Sequence, residues 1–81
     1  MELKDSVIIV TGAGSGVGRA CALELGRQGA KVVCAARREE KIQETVAMIE
    51  AEGGQGLAVR TDITDLAQNE RLVAAAIEAF G

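Results

Sequence analysis

Residues 11–20 read TGAGSGVGRA, with glycine at positions 12, 14, 16 and 18. A glycine costs roughly 1 kcal/mol in a helix interior and weakens a strand as well. Four at alternate positions mark a place where the backbone must turn, or be approached, in ways a Cβ would prevent. The flanks define that place. Before it runs SVIIVT (6–11), a β-branched stretch of the kind that forms a strand buried on both faces. After it Val17, Cys21 and Leu25 recur at i, i+4 and i+8, the apolar stripe of a helix that ends near Gln28–Gly29. A glycine turn between a buried strand and a helix suits an anion. Free N–H groups and the positive end of the helix dipole meet there.

The same alternation continues downstream. KVVCAA (31–36) is a second strand, followed by a helix whose stripe is Ile42, Val46 and Ile49. Glu39 and Glu40 sit in its first turn, where the dipole favours acids, and Gly53–Gly54 stop it. GLAVRT (56–61) is a third strand. Asp65 then caps a third helix with Gln68 three residues on, close to a capping box, and Val73, Ile77 and Phe80 form its apolar face. The order βαβαβα with short connections predicts an α/β fold with a parallel sheet, right-handed crossovers and helices on its faces.

Composition narrows the function. The chain has 81 residues, 48% apolar and 26% charged, with a net charge of −3. It holds no basic run longer than Arg37–Arg38, so no nucleic-acid surface and no membrane-binding patch is expected. No apolar run approaches a membrane span, and MELKDS lacks the apolar core of a signal peptide. A cytoplasmic location follows by default. Cys21 and Cys34, far apart among small apolar residues, read as reduced core filler. With no histidine and no CxxC, no metal site is expected.

The spelling of the glycine turn is informative. The dinucleotide fingerprint G-x-G-x-x-G fails, because its third glycine falls on Val17 counted from Gly12 and on Arg19 counted from Gly14. The P-loop fails for want of a Gly-Lys pair. T-G-x-x-x-G-x-G fits, through Thr11, Gly12, Gly16 and Gly18. With VVCAARREEK and RTDITD downstream, the chain from Lys4 to Gly81 resembles the N-terminal cofactor-binding part of the short-chain dehydrogenase/reductase family.

That resemblance implies a partial NAD(P)-binding Rossmann fold over residues 1–81, with strand order 3-2-1 and an end before the fourth strand. It implies a cofactor site made by Thr11, Gly12, Ser15, Gly16, Val17, Gly18, Arg37, Arg38, Asp62 and Ile63. Gly12, Gly16 and Gly18 would form the turn around the pyrophosphate, with Thr11 bracing it by hydrogen bonding. Ser15 would reach a phosphate or ribose oxygen. Asp62 and Ile63 match the family's acid-then-apolar pair at the adenine.

The cofactor choice turns on the end of the second strand. NAD-binding domains place an acid there for the ribose 2′-OH. The corresponding residue is Ala36, and Arg37 and Arg38 follow it. A guanidinium binds a 2′-phosphate in bidentate fashion where a carboxylate would repel it. This favours NADP(H) over NAD(H). Many NADP-preferring relatives also carry a basic residue just before the second motif glycine, where this chain has Ser15.

The family transfers hydride between NAD(P)(H) and an alcohol or carbonyl, using Ser, Tyr and Lys, often with Asn. Here there is no Tyr; the serines are Ser6 and Ser15, and the single Asn is Asn69. No catalytic residue is therefore expected within the chain, nor turnover by the chain alone. The alternatives are a stand-alone nucleotide-binding module, self-associating through the open edge of its first strand, and a non-functional fragment.

Overall fold

The structure, a computed structural model, describes residues 3–81. Its elements follow in the order β1 (Val7–Thr11), α1 (Gly16–Arg27), β2 (Lys31–Ala36), α2 (Glu39–Ala51), β3 (Gln55–Arg60) and α3 (Leu66–Phe80). The three strands form one parallel sheet, with β2 in the centre. This is the 3-2-1 order of a Rossmann-type α/β fold. Val7 pairs with Lys31 and Lys31 with Gln55, so the two crossovers are in step.

The register divides the strand residues between two faces. Ile8, Val10, Val32, Cys34 and Ala58 face α1 and α2, and pack with the buried Ala22, Ile42 and Ile49. Val33, Ala35, Leu57 and Val59 face α3 and meet Leu72, Ala76 and Phe80. Val32 to Ala35 are all wholly buried, as expected of a central strand covered on both sides.

Three sequence expectations are corrected. The first strand is not buried on both faces: Val7 and Ile9, in register with Lys31 and Val33, are exposed. Strands lie about 4.8 Å apart and a helix is about 10 Å wide, so α3 alone cannot roof three strands. The buried stripe of α1 is not Val17, Cys21 and Leu25. Val17 is 80% exposed and Cys21 is exposed, so Cys21 is not core filler, whereas Cys34 is; of the expected stripe only Leu25, partly buried, packs against the core. The helix docks instead through small residues. Ala22 and Gly26 are its buried positions, and a Cβ on Gly26 would stand 3.0 Å from Ile49. Close approach to α2 selects this stripe over the more apolar one beside it. In α3 the buried residues are Leu72 and Ala76, while Val73 and Ile77 are 49% and 62% exposed. The helix is apolar over a wide arc; it docks one residue before the expected stripe at Leu72 and Ala76, and as expected at Phe80.

The terminal signals act largely as read. Asp65 accepts hydrogen bonds from the N–H groups of Ala67 and Gln68. Gln68, three residues on, does not close a capping box; its Oε1 accepts from the Asp62 N–H at 2.8 Å. Gly29 and Gly53 end α1 and α2 with φ of +90° and +84°. Among the described residues no helix is long and apolar enough to cross a membrane.

Candidate cofactor site

The C-terminal ends of the three parallel strands carry two adjoining clefts, the position at which open α/β sheets bind ligands. One, of about 340 Å³, is lined by Gly12, Ala36, Arg37, Thr61, Asp62, Ile63 and Thr64. The other, of about 390 Å³, is lined by Gly12, Gly14, Ser15, Ala36, Arg37, Arg38 and Lys41. Gly12, Ala36 and Arg37 belong to both, so the first cleft runs into the second over the end of β2.

The glycine turn is built of three different requirements. Gly12 and Gly16 have φ of +67° and +55°, a backbone region that L side chains rarely occupy. A Cβ at either would meet nothing within 4 Å. The space above them is open, as a cradle for an approaching ligand must be. Gly18 differs: a Cβ there would overlap the Gly12 carbonyl, with the carbonyl carbon 2.6 Å away. It lets the first turn of α1 sit directly on the glycine turn. Gly14, given no role by the sequence, is buried, and a Cβ on it would lie 2.9 Å from the Lys41 Cβ. Its bare backbone lets the turn touch α2.

Ser15 is the N-cap of α1 but makes no side-chain cap bond. Its exposed side chain lines the second cleft while the first N–H groups of α1 lack intrahelical partners. Thr11 and Val17 are exposed on either side of the turn and line neither cleft, and Thr11 ends β1 beside Ala35. The hydroxyl that bonds into the turn belongs to Thr45 of α2, which donates to the Ala13 carbonyl at 2.7 Å.

Arg37 and Arg38 leave the end of β2, both exposed; Arg38 is the N-cap of α2. Arg60 Nε donates to the Arg37 carbonyl at 3.2 Å and anchors that corner. Neither Arg37 nor Arg38 forms an ion pair among the described residues. Lys41, in the first turn of α2, lines the same cleft as Arg38. It was missed in the sequence, where it reads as one charge on an amphipathic helix; its place three residues after Arg38 was the available signal.

Asp62 accepts from both the hydroxyl (2.6 Å) and the N–H (3.0 Å) of Thr64. These bonds, with help from Arg37 and Arg60, hold its carboxyl below the usual carboxylate range. It is thus an ionised, pre-oriented acceptor at the rim of the first cleft. Ile63 lies beside it, half exposed, an apolar surface on which a planar ring can rest. Among the described residues no group of three or more His, Cys, Asp or Glu could hold a metal ion.

A family model for short chain dehydrogenases matches residues 6–81. The chain belongs to the short-chain dehydrogenase family. It is 48% identical over 81 residues to the uncharacterized oxidoreductase Lmo0432 of Listeria monocytogenes, covering the whole of this chain and 33% of that protein. Among solved structures, a short chain dehydrogenase/reductase from Burkholderia phymatum in complex with NAD superposes with a TM-score of 0.95 at 42% identity, over 100% of this chain and 29% of that one. A metagenomic short-chain oxidoreductase in complex with NADP gives 0.92 at 33% identity, over 100% and 37%. The chain thus spans about a third of the length of these relatives, which between them carry either cofactor.

Proposed function

We propose that this chain forms the NADP(H)-binding part of an oxidoreductase that moves hydride between the nicotinamide cofactor and an alcohol or carbonyl group. The observation that carries the cofactor choice is the corner at Ala36–Arg37–Arg38. Ala36, where an NAD-binding domain would carry its acid, presents a methyl group to both clefts, and Arg37 and Arg38 follow, neither in a salt bridge among the described residues. The open space over Gly12 and Gly16 suits a dinucleotide pyrophosphate at the start of α1. In this reading Gly12, Gly16 and Ser15 hold the pyrophosphate, Gly18 supports the turn, and Thr11 feeds the chain into it from the end of β1. Val17 flanks it with its N–H, Asp62 and Ile63 take the adenine, and Arg37 and Arg38 take the 2′-phosphate. When bound, the cofactor supplies the hydride chemistry. The chain's own residues bind and orient it, and none of them is a tyrosine that could exchange the substrate proton. Small-molecule cofactor binding, a cytoplasmic location and self-association through the exposed β1 edge complete the reading.

Calorimetry of the full gene product tests it. NADP⁺ should bind more tightly than NAD⁺, and Arg37→Ala should remove most of the difference. A charge-assisted hydrogen bond is worth roughly 1.5–3 kcal/mol, so the loss should be about tenfold to a hundredfold. Equal affinity for both cofactors in the unsubstituted protein would overturn the choice of NADP(H).

A further inference from the structure

Thr45 lies in the middle of α2, wholly buried, and its hydroxyl joins three segments. It donates to the Ala13 carbonyl of the glycine turn at 2.7 Å and accepts from Arg19 Nε of α1 at 2.8 Å. Arg19 extends the joint: its Nη2 donates to the Lys41 carbonyl at 2.9 Å and to Glu44 Oε1 at 3.1 Å. Gly14 comes so close that a Cβ on it would stand 2.9 Å from the Lys41 Cβ. The Thr45–Ala13 bond and the Gly14 approach tie the glycine turn to α2, the Arg19 bonds tie the start of α1 to the same stretch of α2, and Lys41 and Arg38 line the cleft that the turn itself borders. A valine of the same shape would fill the Thr45 position but would leave the Ala13 carbonyl and Arg19 Nε without this partner. The hydroxyl sets a distance between two parts of one binding surface.

We propose that Thr45 is a positioning residue for the cofactor's second phosphate: it locks α2 onto the glycine turn so that Lys41, with Arg38, meets the adenosine phosphate at a fixed separation from the pyrophosphate. Lys41 thereby becomes a third cation of that subsite. The inference rests on the NADP(H) reading above but makes a separate claim, that turn and cations act as one unit.

The test is a set of four proteins, the full gene product unsubstituted and with Thr45→Val, Lys41→Ala, or both, titrated with NADP⁺ and with NAD⁺. Lys41→Ala should cost about tenfold in NADP⁺ affinity in the unsubstituted background and twofold or less beside Thr45→Val, because cations already displaced have little left to lose. Thr45→Val alone should weaken NADP⁺ more than NAD⁺, and Thr45→Ser, which keeps the hydroxyl, should restore it. A Lys41→Ala cost that is the same in both backgrounds would overturn the proposal, as would equal weakening of both cofactors by Thr45→Val. If Thr45→Val does not fold, Arg19→Gln replaces it in the same cycle, since it breaks the clamp on the Lys41 carbonyl and leaves the Thr45–Ala13 bond in place. Equal binding of NADP⁺ and NAD⁺ by the unsubstituted protein would remove the cofactor reading instead. The joint is then judged by amide hydrogen exchange. Thr45→Val should speed exchange at Ala13–Ser15 about tenfold with β2 unchanged, and no change at the turn would overturn it.

Discussion

On one side of the sheet α1 and α2 lie together over Val32 and Cys34; on the other α3 lies alone over Val33 and Ala35. Neighbouring residues of a single strand therefore enter two different kinds of packing. On the α1–α2 side the contacts are close enough for glycines to matter. Gly26 and Gly54 each stand against Ile49, and Gly56 against Val46. On the α3 side the helix meets the sheet through Leu72, Ala76 and the partly buried Phe80, and leaves Val73, Ile77 and Leu66 exposed. The glycine turn, the second cleft and the Thr45 joint belong to the tightly packed side, whereas the first cleft is also lined by Thr61 to Thr64, which lead into α3. The candidate surface at the glycine turn is thus carried by the layer that has least room to move.

Truncating one residue on each side should expose this difference most. Ile49→Ala removes a side chain that fills the space between α1, α2 and β3, and should cost about 2–5 kcal/mol in urea unfolding. Leu72→Ala, beneath a helix with an open flank that can settle inward, should cost clearly less. Equal losses would show that the two sides are packed alike.

Thiol reactivity gives the next largest contrast. Burial pushes the Cys34 thiol up to about 11 from an ordinary 9.0. At pH 8 its thiolate fraction is then lowered about a hundredfold. Exposed Cys21 should react promptly with an alkylating agent, and Cys34 only as the protein unfolds. The raised value also fixes a sign. Stability that depends on a neutral Cys34 is complete below pH 9.0 and declines as the pH climbs towards about 11. Labelling of both cysteines at one rate in the folded protein would contradict this.

At the cleft, the depressed carboxyl of Asp62 favours the fold above the usual carboxylate range and ceases to do so as pH falls through its lowered value. Thr64→Ala removes the largest cause and should raise the Asp62 titration midpoint towards its ordinary value, read by carboxyl NMR. An unmoved midpoint would assign the effect to the backbone N–H and the arginines. The smallest change belongs to the open flank of α3. Ile77→Ser should shift stability by no more than about 0.5 kcal/mol, and a larger loss would mean that this flank is covered in solution.

The sequence was most legible where a signal is local. The bounds of β2, the acids at the start of α2, the Asp65 cap and the ending glycines each act through a neighbour within a few residues. Signals that depend on a distant partner were misread. The periodicity of α1 points to its larger side chains, but the helix docks by Ala22 and Gly26 because Ile49, more than twenty residues later, requires close approach. Thr45 looks like an indifferent β-branched residue in a helix, and nothing near it in sequence points to a carbonyl 32 residues earlier. At the candidate site the motif residues are legible because glycine and charge are conspicuous in a sequence. Lys41 and Arg19, two charges among many on amphipathic helices, acquire their places only when α1 and α2 meet.

The step of 24 residues from Val7 to Lys31, repeated from Lys31 to Gln55, also bears on how the chain assembles. Closing a loop costs entropy according to its length, and the two closures are equal in length. No hairpin offers a shortcut, because both strand pairs are parallel. What separates the two halves is the gain on closure. The β2–α2–β3 half brings together Ile42, Ile49 and the central strand, whereas β1–α1 adds an edge strand and a helix that docks by small residues. The second half should therefore nucleate the fold, with mutations at Ile42 and Ile49 slowing folding and mutations at Ile8 and Val10 mainly speeding unfolding. The glycine turn would then be the last part of the surface to take shape, formed against an α2 already in place.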